Sequence, residues 1–155
     1  MEITTLDVRD DDALHRFTEL LAEYDRSLPA DLRHGSEPDR ASVRAAYDRP
    51  HAAFVAKMGG AAAGCVATAH LDASAAIIQR LYIKPEYQQH GIARELVAAA
   101  LKFCHRQRYG RVVLDTEKDR LPAAYRLYRS FGFEECEPYG AVWYQNATFM
   151  QRLLL

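Results

Sequence analysis

The chain has 155 residues and a formal net charge of -1, from 20 Lys+Arg against 21 Asp+Glu; 49% of its residues are hydrophobic and 26% charged. Those values exclude a disordered, collagen-like or repeat-rich chain and predict one domain spanning residues 1–155, large enough to build a core without metals or disulfides. The near-zero charge argues against a chain-wide electrostatic grip on nucleic acid.

Cys65, Cys104 and Cys136 are few, odd in number and far apart, with no CxxC or Cys/His ligand spacing. Neither a disulfide framework nor a metal site is expected, and the thiols read as core fillers rather than nucleophiles, since no base is paired with them. The acidic start, Met1 to Asp12, lacks the basic and apolar regions of a secretory signal. No window approaches the ~18 apolar residues of a membrane span. The expectation is a cytoplasmic protein with no membrane partner.

Glu2 to Val8 reads as a first strand. Asp10, Asp11 and Asp12 supply a cap and favourable charge for a helix over Asp11 to Ser27, whose apolar face holds Ala13, Phe17, Leu20, Leu21 and Tyr24. Leu28 to Arg40 is polar and reads as a mobile loop, followed by a short helix over Ala41 to Tyr47. Ala52–Lys57 and Ala61–His70 read as strands joined at Gly59-Gly60, although their many alanines favour helix. Ala76 to Ile83 is rich in β-branched and aromatic residues and predicts a central strand.

After Gly91 the period becomes helical, with Ile92, Leu96, Ala100, Phe103 and Cys104 on one face and Gly110 closing the segment. Arg111 to Leu114 reads as a strand. Pro122 opens a helix bearing Ala124, Leu127, Tyr128 and Phe131 on one face, with Gly132 as its C′ residue. Phe133–Cys136 and Thr148–Leu154 read as final strands around a Pro138-Tyr139-Gly140 corner. The fold class is α/β on one mixed sheet of about six or seven strands flanked by about four helices.

The chemistry lies between Gln79 and Ala93. A strand runs into Gln88-Gln89-His90-Gly91-Ile92-Ala93, where a helix begins. Small residues at Gly91 and Ala93 let the backbone turn sharply, and the N–H groups of the helix start then point into one space. That arrangement binds anions, phosphates above all. Lys84, His90 and Arg94 add positive charge nearby. On spacing alone the segment is also compatible with an ordinary strand-to-helix turn. Neither GxxxxGK[ST] nor a GxGxxG at the first strand is present, so no NTPase or dinucleotide site is expected.

Gln88-x-x-Gly91-x-Ala93 resembles the [Q/R]-x-x-G-x-[G/A] signature of the GNAT superfamily of acetyl-CoA-dependent N-acetyltransferases. Gly64-Cys65-Val66-Ala67, Arg80 to Pro85, Leu114-Asp115-Thr116, Ala124-x-x-Leu127-Tyr128-x-x-x-Gly132-Phe133, Pro138-Tyr139 and Phe149-Met150 extend the likeness from Ala52 onward. The resemblance implies that N–H groups of Gln89, His90, Gly91, Ile92, Ala93 and Arg94, with Gln88 ahead of them, hold the pyrophosphate of acetyl-CoA. It implies that the fourth and fifth strands part, with the pantetheine arm pairing along Leu81, Tyr82 and Ile83. A backbone N–H near Leu81 would polarise the thioester carbonyl. Tyr128 corresponds to the tyrosine that protonates the departing thiolate, against an alternative as a core tyrosine.

The match has gaps. Many relatives carry a glutamate base on the fourth strand where Ile77 stands, and the related branch often has Lys at Gln79. Asn often opens the helix before Tyr128, where Leu121 stands. Glu117, Asp115 and His70 are the replacement candidates, each with an alternative as a solvated surface residue. Tyr24, Tyr47 and the loop 28–40 are expected to border the acceptor site, where Asp25, Asp31 and Glu37 could attract a cationic amine, against an alternative as a solvated face.

Direct transfer of acetyl to a primary amine of a small molecule or peptide is the leading function. The acceptor classes are aminoglycoside, polyamine, amino acid and protein N-terminus. A catalytically weak module that binds CoA or acyl-CoA as a sensor or interaction element is the alternative, raised by Ile77. The Lys102, Arg106, Arg108 and Arg111 cluster reads as a solvated helix end rather than a nucleic-acid site. The resemblance also implies a homodimer as an option, although no residue marks an interface.

Overall fold

The structure is a computed structural model and describes residues 1–35 and 38–154. Strand β1 covers Glu2–Thr5, shorter than the expected Glu2–Val8. Asp7 explains the difference: its Oδ1 accepts from the Arg9 N–H and its carbonyl from the Asp10 N–H, turning the chain into helix α1 (Asp11–Ser27). The Asp10 side chain caps α1 by accepting from the Ala13 N–H.

The first part of the segment expected as a loop, residues 28–33, is tied to the fold by backbone and side-chain bonds. A short 3-10 turn, Ala30–Leu32, sits between buried Leu28 and Leu32, and Arg33 donates to the carbonyls of Leu28 and Arg26. Helix α2 follows at Arg40–Tyr47, capped by Asp39. Then come β2 (Ala52–Met58), β3 (Ala61–His70) and β4 (Ala75–Ile83). Helix α3 is Ile92–Arg106, β5 is Arg111–Thr116 and α4 is Pro122–Ser130. Strands β6 (Glu134–Glu135) and β7 (Thr148–Leu153) complete the order.

Among the described residues the strands form one seven-stranded sheet in the order β1-β2-β3-β4-β5-β7-β6. Strands β4 and β5 are parallel; the other neighbours are antiparallel. Side chains alternate between two cores, as the period of two requires. On one face Phe54, Val66, Ile78, Val112 and Met150 pack against Leu96, Val97 and Ala100 of α3. On the other, Ala53, Val55, Cys65 and Ala67 pack against Leu14, Phe17 and Leu20 of α1 and Val43 of α2. The alanine-rich strands are buried by helices on both faces, and that burial outweighs their helix propensity.

Two turns fix the helices that matter for the site. Past the end of helix α3 at Arg106, the left-handed residue that turns the chain is Arg108 (φ 65) rather than Gly110. Helix α4 ends as expected on Gly132 (φ 86): the Gly132 N–H donates to the Arg129 carbonyl and the Phe133 N–H to the Tyr128 carbonyl. The Tyr128 and Phe133 rings then meet edge-on at 5.8 Å. Backbone and ring of Tyr128 are thereby both fixed.

Candidate active site

Strands β4 and β5 pair only over Ala75–Ile77 and Arg111–Val113. Beyond Ile77 they part. At the same place β4 bulges: Arg80 and Leu81 together face the single β3 residue Val66, between the pairs Ala67↔Gln79 and Cys65↔Tyr82. Arg80 takes the left-handed conformation (φ 61), and the Cys65 thiol donates to its carbonyl at 3.5 Å. Gly64 allows this bend. A Cβ added there would lie 2.5 Å from the Tyr82 carbonyl oxygen and 2.7 Å from Ile83 Cδ1.

The parted strands open a cleft of about 650 Å3, within the usual range for small-molecule sites. Leu81, Tyr82, Ile83, Gln88 and Ala93 line it, as do Asp115, Glu117 and Tyr128. At the α3 end, Gln89 (φ 65) and Gly91 (φ 78) both take left-handed conformations. Gly91 is the N-cap of α3 without a side-chain cap, and an added Cβ there meets nothing within 4 Å. Open space therefore fronts first-turn N–H groups that no capping side chain occupies. The Gln88 amide donates to the Ile83 carbonyl at 3.2 Å, tying the loop to β4, and the His90 Nδ1 donates to the Gln88 carbonyl at 2.8 Å. The Ile92 side chain is buried in the core, so it offers only its backbone. Arg94 donates to Ser130 Oγ and lies over the Phe131 ring; Lys84 pairs with Glu23.

Tyr128 is 7% exposed and reaches the cleft. Burial pushes its phenol well above the ordinary tyrosine range, with Tyr24 and Asp115 adding to the rise. It keeps its proton at neutral pH, and its hydroxyl has no hydrogen-bond partner among the described residues.

The replacement candidates occupy distinct settings. Glu117 is 5% exposed and on the cleft wall, not a solvated turn residue; its Oε2 accepts from Arg120 Nε at 2.7 Å. Arg120 also grips both oxygens of Asp31 at 2.8 Å, so Asp31 is held in a guanidinium clamp. Asp115 accepts from the phenols of Tyr139 and Tyr144. His70 stands outside the cleft, its Nδ1 2.8 Å from the Tyr109 hydroxyl. Tyr24 lines the cleft as expected, but Tyr47 is buried against Phe17. Glu37 lies outside the described residues. Burial lifts the Cys65 and Cys104 thiols to about 12, which removes them as nucleophiles.

Sequence reasoning passed over His34. It lines the cleft, its ring lies 4.8 Å from that of Trp143 at a tilt of 54°, and its Nδ1 lies 2.8 Å from Asp25 Oδ1. A second hollow of about 470 Å3 shares Glu117, Trp143 and Tyr144 with the cleft.

The sequence profile of the acetyltransferase (GNAT) family matches residues 14–133. The chain belongs to the GNAT family of N-acetyltransferases. This acetyltransferase is 32% identical over 142 residues to an uncharacterised N-acetyltransferase of Schizosaccharomyces pombe, covering 89% of this chain and 86% of that one. In fold it is similar to a ribosomal-protein-alanine N-acetyltransferase from Brucella melitensis, with a TM-score of 0.79 and 18% identity over 99% of this chain and 100% of that one. It is likewise similar to a putative acetyltransferase from Salmonella typhimurium solved with its cofactor acetyl-CoA, with a TM-score of 0.73 and 18% identity over 99% and 93% of the two chains. Among the described residues of this GNAT enzyme no three His, Cys, Asp or Glu side chains gather as for a metal ion, and no helix is long and apolar enough to cross a membrane.

Proposed function

We propose that this enzyme transfers the acetyl group of acetyl-CoA directly to a primary amine of a small molecule or peptide, both bound at once. One observation carries this reading: the parted strands put the β4 edge, the uncapped start of α3 and Tyr128 around a single cleft. The residues fit the cosubstrate. N–H groups from Gln89 to Arg94 would hold the pyrophosphate, at a helix start that no side chain caps. The backbone of Leu81–Ile83 offers an unpaired edge for the amide-bearing arm, and bound acetyl-CoA supplies a thioester as acyl donor.

A backbone N–H near Leu81, beside the bulge, would stabilise the negative charge that develops on the carbonyl oxygen. Tyr128 hands its proton to the departing sulfur, which removes the cost of releasing a free thiolate. Both substrates share one cleft, and the thiols are protonated, so no covalent enzyme intermediate is called for. The acceptor approaches from the side framed by Tyr24, Trp143 and Tyr144. Its ammonium suits these aromatic faces.

The test is thiol release from acetyl-CoA with an amine panel: spermidine, kanamycin, free amino acids and an alanyl peptide. Turnover with one class, well above hydrolysis, is expected. Tight acetyl-CoA binding with no thiol release from any amine contradicts the reading.

A further inference from the structure

Ile77 cannot accept a proton, yet an alkylammonium must lose one before it attacks a carbonyl. We propose that His34, oriented by Asp25, takes that proton. The proposal rests on the acetyl-transfer reading above.

The geometry is that of a carboxylate–imidazole pair. Asp25 Oδ1 accepts from the His34 backbone N–H at 2.7 Å and lies 2.8 Å from His34 Nδ1. A carboxylate only accepts, so Nδ1 carries the hydrogen and Nε2 is left as the basic nitrogen. Nε2 has no hydrogen-bond partner among the described residues. Burial raises the Asp25 carboxyl, but the two bonds from His34 outweigh it and hold the group below its ordinary range. Asp25 is therefore ionised at neutral pH and fixes the tautomer.

His34 also lines the same cleft as Tyr24 and Tyr128, and its ring centroid is 5.8 Å from that of Tyr24. The ring lies on the cleft wall beside Trp143, which is 57% exposed. The charged groups facing His34 come from three elements: Asp25 on α1, Arg80 on β4 and Asp115 on β5. Burial is the largest influence and lowers its pKa; Arg80 lowers it further, while Asp25 and Asp115 raise it, and the net direction is down. His34 is consequently neutral at pH 7, the form a base requires.

The protons balance. The acceptor ammonium gives one proton to Nε2, and the freed lone pair forms the N–C bond as the C–S bond breaks. Tyr128 protonates the sulfur. The remaining extra proton on nitrogen returns to the Tyr128 phenolate through solvent, and His34 releases its proton to solvent.

Hydroxylamine, neutral at pH 7, separates a base from a structural residue. Acetyl transfer to spermidine, ethylamine and an alanyl peptide is compared with transfer to hydroxylamine. His34→Gln should lose about 10²-fold or more with the alkylamines and only a few-fold with hydroxylamine. Free imidazole should restore part of the loss in His34→Ala. Asp25→Asn, which keeps the imidazole, should slow alkylamine transfer and move the acidic limb of its pH profile to lower pH, because a carboxylate that raises the His34 pKa is gone. In the wild type, nitrogen NMR should find the hydrogen of His34 on Nδ1. Equal losses with both probe types, an Nε2–H tautomer, or a selective loss in Glu117→Gln instead would overturn the assignment. No transfer to any probe by the wild type would bring down the acetyl-transfer reading itself. An unaffected Tyr128→Phe would sink the acid role alone.

Discussion

Tyr144 donates its phenol hydrogen to Asp115 Oδ2 at 2.6 Å across 29 residues of sequence. Tyr139 donates to the other oxygen of the same carboxylate, also at 2.6 Å. The end of β5 thus anchors the segment between β6 and β7, which forms one wall of the cleft. Asp115→Ala leaves two half-buried phenols without their acceptor. With two bonds lost it should cost about 3–6 kcal/mol in urea unfolding, at about 1.5–3 kcal/mol for each hydrogen bond to a charged group. Faster proteolysis between Pro138 and Ala147 should accompany it.

The same phenols set an alkaline limit on the fold. Burial first, then the bond to Asp115, raises Tyr139 and Tyr144 far above the ordinary value of 10.0; burial also lifts Tyr24 to about 12 and raises Tyr128. A group whose folded pKa is raised contributes stability that is present below its unfolded pKa and lost as pH rises. The unfolding free energy should therefore be flat towards neutrality and fall above about pH 10. Ultraviolet titration should show these tyrosines ionising only as the fold opens.

Tyr128→Phe keeps the ring that packs on Phe133 and removes only the hydroxyl. Turnover should fall by about 10²-fold or more, the usual scale for losing a general acid. Acetyl-CoA affinity and melting temperature should stay close to wild type. Unchanged turnover would remove Tyr128 from the chemistry.

Gly64 and Gly91 should respond differently to alanine. At Gly64 the new methyl meets the Tyr82 carbonyl oxygen at 2.5 Å, so β4 must move; about 1–3 kcal/mol of stability should be lost, with weaker acetyl-CoA binding because Tyr82 and Ile83 line the cleft. At Gly91 nothing is within 4 Å and only the positive φ resists, at about 1–2 kcal/mol. Gly91→Ala should fold and lose acetyl-CoA affinity as the turn relaxes.

The sequence carried what is local or periodic. The order of elements along the chain, the α1 and α4 caps and the turn from Gln88 to Ala93 all follow from residues within a few positions of one another. Contacts between distant segments were not legible. Arg120 and Asp31 are 89 residues apart, and neither carries a local signal for their pairing. His34 lay in a polar stretch and became visible only when the exit of α1 brought it back onto Asp25. Tyr47 looked like a site residue because it is aromatic and polar, yet its helix turns it into the core against Phe17. Alanine propensity pointed away from β2 and β3, and two layers of helices overrode it.

Acetyl-CoA binding to the wild type and Gly91→Ala, followed by calorimetry, tests the central claim most directly. Saturable one-to-one binding at micromolar affinity, clearly weakened in Gly91→Ala, is the expected result. No heat of binding up to millimolar acetyl-CoA would contradict it, because the turn before α3 would then hold no pyrophosphate.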